Sequence, residues 1–162
     1  MLVRKINRAK WMSGDIIKEP PSADAITGCL RTIKNTLSVW RINNENELEE
    51  AVLAIVSGQD HLETIDVVMM DDEYFIKCKI STDETEGHTP IENLKNTHRD
   101  LCSLDYWTIG MVAEHIIENI KKDKLKRYRE SDLKRILKNA IEKNRLELFD
   151  LSENIQQKMV SF

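Results

Sequence analysis

Two β-prone segments flanking one amphipathic helix, between residues 36 and 70, constrain the fold more than any other feature of this chain. Thr36 to Ile42 (TLSVWRI) and Thr64 to Met70 (TIDVVMM) are rich in β-branched and aromatic side chains, which suit a pleated, half-buried surface. In the first, Leu37 and Val39 fall on one face and Trp40 and Ile42 on the other, the pattern of a central strand covered on both sides. Between the two segments, Leu48, Ala51, Val52 and Ile55 recur at helical spacing, with Asn44 as cap and Gly58 as stop. Glu45, Glu47, Glu49 and Glu50 crowd the first turns, where the helix dipole favours anions. A helix of this length allows a right-handed crossover, so the two strands are candidates for parallel neighbours.

The rest of the chain fills in around this unit. Leu2 to Ile6 suits a short first strand, and Trp11 to Pro21, with Gly14 and Pro20-Pro21, a loop. Ser22 is placed to cap a helix running to about Lys34, with Ala25, Ile26, Cys29, Leu30 and Ile33 at helical spacing. Glu73 to Ile80 alternates Tyr74, Ile76, Cys78 and Ile80 against Lys77 and Lys79, which predicts a third, more peripheral strand. Ser81 to His88 is an acidic loop that closes the sheet, and from Pro90 onward the pattern is helical. Asp105 to Lys121 is the most apolar helix: Tyr106, Ile109, Ala113, Ile116, Ile117 and Ile120 form one stripe, and Met111 and Val112 add to a second. A further helix opens at Ser131. Leu146, Leu148, Phe149, Leu151, Ile155, Met159 and Phe162 carry apolar content to the end. The expectation is an α+β fold: a small mixed or antiparallel sheet of three to four strands packed with helices, residues 1–120 as its core, and residues 121–162 as a basic helical extension packing on that core or on a partner.

At 162 residues the chain suits one domain, and 41% apolar against 32% charged residues excludes intrinsic disorder. Cys29, Cys78 and Cys102 are far apart with no CxxC pair, which predicts reduced thiols and no zinc site. No apolar run approaches the roughly 20 residues of a membrane span, and Met1 to Lys5 lacks the pattern of a secretory signal, so a cytoplasmic location is expected, with no membrane association.

The motifs that carry chemistry are largely missing. There is no P-loop, GxGxxG, GxSxG or HExxH, and no cofactor is expected. His98-Arg99-Asp100-Leu101 matches the catalytic loop of protein kinases over four residues, without the Gly-rich loop, strand lysine or DFG that kinase chemistry needs. Asp66 with Lys77 and Lys79 falls short of a PD-(D/E)xK nuclease, because the second carboxylate that would hold Mg²⁺ is absent. Asp83 to Glu86 lacks the spacing of a Ca²⁺ loop. A diverged site would have to gather His88, His98, Arg99 and Asp100 in one pocket.

Charge is unevenly spread: residues 1–120 hold 12 basic and 21 acidic side chains, and residues 121–162 hold 12 and 7. Such a split points to a partner for one end, or to the two ends meeting each other. Lys121, Lys122, Lys124, Lys126, Arg127, Arg129, Lys134, Arg135 and Lys138 make a candidate phosphate-tracking surface; Tyr128 is its one aromatic, too few for stacking on single strands. The apolar surplus supplies a second candidate, a protein interface at Tyr106, Ile109, Met111, Val112, Ile116, Phe149, Ile155 and Met159.

The order of TLSVWRI (36–42), EEAVLAIVSG (49–58), TIDVVMM (64–70) and TPIENLKNTHRDL (89–101) resembles small bacterial middle components that accompany SMC-like ATPases and effector subunits in anti-phage and anti-plasmid defence, over about residues 1–120. The resemblance implies a non-catalytic subunit bridging an ATPase and a nuclease or other effector, and assigns no functional residue. The expected function is thus an adaptor subunit of a larger complex with protein partners; the alternative is a nucleic-acid-associated regulator or nuclease component using the basic segment.

Overall fold

The computed structural model describes residues 1–160, so Phe162 lies outside the described residues. The elements in chain order are β1 (Leu2–Ile6), α1 (Arg8–Trp11), β2 (Met12–Ser13), β3 (Ile16–Ile17), α2 (Ala23–Cys29), β4 (Leu37–Arg41), α3 (Leu48–Ser57), β5 (Ile65–Met70), α4 (Asp72–Lys77), β6 (Thr82–Glu84), α5 (Glu92–Lys95), β7 (His98–Leu101), α6 (Tyr106–Lys121), β8 (Leu125–Tyr128), α7 (Glu130–Glu142) and α8 (Glu153–Val160). Short 3-10 turns at Glu45–Glu47 and Leu148–Asp150 precede α3 and α8.

Six strands form one sheet in the order β6-β7-β4-β1-β5-β8, and all of its pairings are antiparallel. This corrects the expected three or four strands. It also corrects the parallel pairing of β4 with β5: β1 lies between them, with Val3 opposite both Trp40 and Met69. The reason is burial on both faces. Leu2 and Val3 point to opposite sides of the sheet, and both are essentially inaccessible, so β1 is satisfied only at the centre.

Helices cover both faces. Val3, Trp40, Ile65, Val67 and Met69 pack against α3, α5, α7 and α8. Leu2, Leu37, Val39, Val68, Met70 and Leu101 pack against α1, α2, α4 and α6. Each buried aliphatic side chain contributes roughly 1.5–3 kcal/mol against exposure.

Several segments depart from the expected elements. Thr82–Glu84, within the acidic stretch expected as a loop, pairs with β7 as the edge strand, and the expected loop of residues 11–21 holds the β2–β3 hairpin. Glu73 to Ile80 contains a helix, not a strand. Its apolar alternation is too short to separate the two periods, and Asp72 and Glu73 in the first turn favour a helix N-terminus. In the stretch expected to be helical from Pro90, only Glu92–Lys95 is helical before His98–Leu101 joins the sheet beside β4. In the basic segment, Leu125–Tyr128 is a strand paired with β5. Both strands are four residues long, and β4 and β5 supply the open edges that recruit them. After β8, α7 and α8 place Leu133, Ile136, Leu137, Leu151 and Ile155 in the same cluster as Val3 and Ile65. Helix α2 ends earlier than the spacing predicts, because a bridge between Ile33 and Thr36 closes a tight turn. Among the described residues, no helix is long and apolar enough to cross a membrane.

Candidate functional site

The basic residues are largely engaged by acids of the same chain. Lys121 meets Glu19 at 2.7 Å, Lys124 meets Asp71 at 3.0 Å, and Arg135 meets Glu49 at 2.5 Å. Arg127 holds both oxygens of the buried Asp66, at 2.7 and 3.0 Å, and Asp66 also accepts from the Arg8 N–H. Lys126 pairs with Asp123, and Lys134 with Glu130. These carboxylates hold the guanidinium groups of Arg127 and Arg135 above their ordinary range. Lys122, Arg129 and Lys138 are exposed. The acidic first part of the chain and the basic last part therefore meet within the fold, and a phosphate at most of these positions would compete with a carboxylate already in place.

The residues of the HRDL motif are divided by the strand they form. His98 and Asp100 lie on one face of β7, and Arg99 on the other. Arg99 donates to Glu84 at 2.8 Å and to the carbonyls of Asn96 and His98. Asp100 accepts from the Ser38 hydroxyl at 3.2 Å. His98 Nδ1 lies 2.7 Å from the Thr85 hydroxyl, its ring stands edge-on to Trp40, and burial pushes its pKa down. His88 and His98 do share a small hollow of about 220 Å³ with Lys5, Ser38, Trp40 and Gly58. Of the polar side chains placed there, four are already paired: Arg4 with the Ser38 and Cys29 carbonyls, Ser38 with Asp100, His98 with Thr85, and Lys5 with Glu63 at 3.5 Å. Among the described residues, no group of three or more His, Cys, Asp or Glu could hold a metal ion.

The surface at the start of α6 has a different character. Asp105 accepts from the Thr108 N–H and its own N–H donates to the Thr108 hydroxyl, both at 2.8 Å, a reciprocal cap that fixes the first turn. That turn projects Tyr106 and Trp107 outward, 79% and 67% exposed, with their rings stacked 5.5 Å apart. One turn on, a Cβ added at Gly110 would meet nothing within 4 Å, and Met111 is exposed. Beside this ridge runs a groove of about 630 Å³ lined by Ile26, Leu30, Leu104 and Ile109 together with Arg31, Thr32 and Asn35. The Leu104 N–H donates to the Asn35 carbonyl and ties the turn at residues 33–36 to the start of α6. Lys34 and Asn35 are left-handed in that turn, which presents Ile33 to solvent at 73% exposure.

Of the residues expected at an interface, Tyr106, Ile109 and Met111 thus belong to one ridge and groove. Val112, Ile116 and Ile155 are fully buried in the core. Met159 packs partly against the α3–α7 cluster, and Phe149 is exposed in the turn before α8, on the opposite layer from α6. Trp107 and Gly110 are the members that periodicity passed over, and Ile33, expected on the apolar stripe of the helix from Ser22, is exposed nearby instead. Their signal was the misfit: Trp107 follows Tyr106 directly, so a helix that turns Tyr106 outward with it leaves two aromatics outside the buried stripe. The chain matches no family model, no curated protein and no solved structure.

Proposed function

We propose that this chain is an adaptor, an accessory subunit of a larger bacterial complex, that docks a protein partner on the ridge of Tyr106, Trp107 and Met111 and the groove beside it. The observation that carries the reading is the stacked, exposed Tyr106–Trp107 pair on a firmly capped turn. Tyr and Trp are the side chains that most often dominate interface energetics, because they bury large area at low entropic cost. Gly110 supports it: a glycine inside a helix costs roughly 0.5–1 kcal/mol against alanine, and none of the chain's own packing fills the space above it. The resemblance to middle components of SMC-like ATPase defence systems supplies the class of complex, with an ATPase and an effector as the partners to test first.

The test is a photo-crosslinking residue placed at Ile109 in the native host, followed by reconstitution of the captured protein with purified chain. Tyr106→Ser and Trp107→Ser should each weaken that complex by about thirtyfold or more, the size expected of hot-spot truncation. Equal affinity after both substitutions would sink the adaptor reading. So would salt-sensitive retention of DNA or RNA that disappears when Lys126, Arg127, Lys134 and Arg135 are neutralised together, which would favour the nucleic-acid reading.

A further inference from the structure

A second concavity, about 500 Å³, lies on the α4 side of the sheet. Its accessible apolar wall is Ile76, 72% exposed, set over Leu2, Phe75 and Ile80, which are at most 4% exposed. Its walls carry Arg41, Lys79 and Arg99, with the hydroxyls of Ser81 and Thr82 beside them. Arg99 is fixed by Glu84 and two backbone carbonyls. Asp72, the one acid in the lining, is held by the Met1 ammonium at 2.6 Å. Among the described residues, no carboxylate pairs with Arg41 or Lys79, although many of the chain's other cations have acidic partners.

Lys79 stands where the backbone favours a different residue. It follows α4 at φ 58°, with the Ile80 N–H donating to the Phe75 carbonyl and the Lys79 N–H to the Ile76 carbonyl. This is the helix-ending turn whose left-handed position glycine occupies most readily. A lysine there carries a conformational cost and lines the hollow.

We infer that this hollow binds a small organic anion with an aliphatic body, an alkyl carboxylate or alkyl phosphate. Arg41 and Lys79 would take the anionic head through charge-assisted hydrogen bonds, and the exposed Ile76 side chain, with the edges of Leu2 and Ile80, the body. The volume falls within the range of small-molecule sites, roughly 300–1,000 Å³. The lining favours an aliphatic over an aromatic body, because the exposed apolar side chain is Ile76, and Phe75 beneath it offers no ring face. This site is independent of the α6 surface, and either proposal can fail alone.

The experiment is titration of the full chain with octanoate and with octyl phosphate, followed by calorimetry and by amide chemical-shift changes. Expected is saturable binding at one site, with shifts centred on residues 76–82 and 41. Octanol and inorganic phosphate should each bind at least about tenfold more weakly, since each lacks one half of the recognition. Arg41→Gln should lower affinity about tenfold. Lys79→Gly should lower it similarly while raising the unfolding midpoint, because glycine relieves the left-handed turn; that combination separates loss of the ligand contact from loss of the fold. Shifts centred elsewhere, octanol binding as tightly as octanoate, or unchanged affinity in both variants would overturn the inference. Phosphatidic acid vesicles competing as well as octyl phosphate would place the anion in a membrane and overturn the soluble-ligand assignment.

Discussion

His115 shows how much a single buried polar group can demand of its surroundings. It sits in α6 at 2% exposure, with its ring stacked on Tyr74 at 3.9 Å and edge-on to Phe75. Nε2 accepts from the Asp71 backbone N–H at 3.1 Å, so the imidazole is neutral with its proton on Nδ1. Asn119, wholly buried, donates to the His115 carbonyl. Burial pushes the His115 pKa below its ordinary value near 6.5, against the opposing pull of Asp71 and Glu118. A depressed histidine contributes stability that is complete above the unfolded value and is lost as pH falls through the folded one. Urea unfolding should therefore show stability declining as pH drops below about 6.5, and burial of His98 adds in the same direction. His115→Phe should cost about 1–3 kcal/mol at neutral pH, by orphaning the Asp71 N–H, and should flatten the acid-side slope. An unchanged slope would show that His115 does not titrate as described.

Three glycines with one composition serve three different purposes in their elements. At Gly58, the end of α3, an added Cβ would fall 1.8 Å from the His88 carbonyl oxygen, which is backbone and cannot swing away. Gly28 in α2 would meet only the flexible end of Lys10, and Gly110 in α6 meets open space. Gly58→Ala should therefore destabilise by about 1–3 kcal/mol through forced backbone shifts. Gly110→Ala should stabilise the isolated chain by roughly 0.5–1 kcal/mol. Thermal unfolding of the two variants checks the sign of each. The Gly110 variant also bears on the adaptor reading, because a methyl group there should weaken docking while strengthening the helix.

At the scale of the whole molecule, the chain closes on itself through charge as well as apolar contact. Five ion pairs join residues before Met111 to residues after Glu118: Glu19–Lys121, Glu49–Arg135, Glu50–Arg145, Asp66–Arg127 and Asp71–Lys124. Apart from Asp66–Arg127, whose carboxylate is buried, these are solvent-reached pairs that contribute only about 0–1 kcal/mol each, so they orient the last third more than they hold it. The hold comes from Leu133, Ile136, Leu137, Leu146, Leu151 and Ile155, all buried with the sheet. A truncation ending at Ile120 strips one face of β5 and removes β8 from its edge. It should give an aggregating, non-cooperative species by circular dichroism and sedimentation, whereas a cooperative melt of residues 1–120 would show that the last third is dispensable.

The elements read correctly from the sequence were those with enough residues to show their period. Helices α3 and α6 run ten and sixteen residues, β4 and β5 are rich in β-branched, aromatic and other large apolar side chains, and Ser22 and Asn44 cap where expected or nearby. Local chemistry was sufficient there, because capping and amphipathicity act between residues within one or two turns of each other. The four-residue strands at His98 and Leu125 have too few residues to declare a period, and only the open edges of β4 and β5 decide that they are extended. The same holds for the candidate sites. Sequence pointed to Tyr106, Ile109 and Met111, but packing decided that Val112 and Ile116 turn inward while Trp107 stays outside. Which cations lack a partner was likewise settled in three dimensions, since the carboxylates that engage Lys121, Arg127 and Arg135 lie sixty or more positions away, and spacing along the chain carries no record of that proximity.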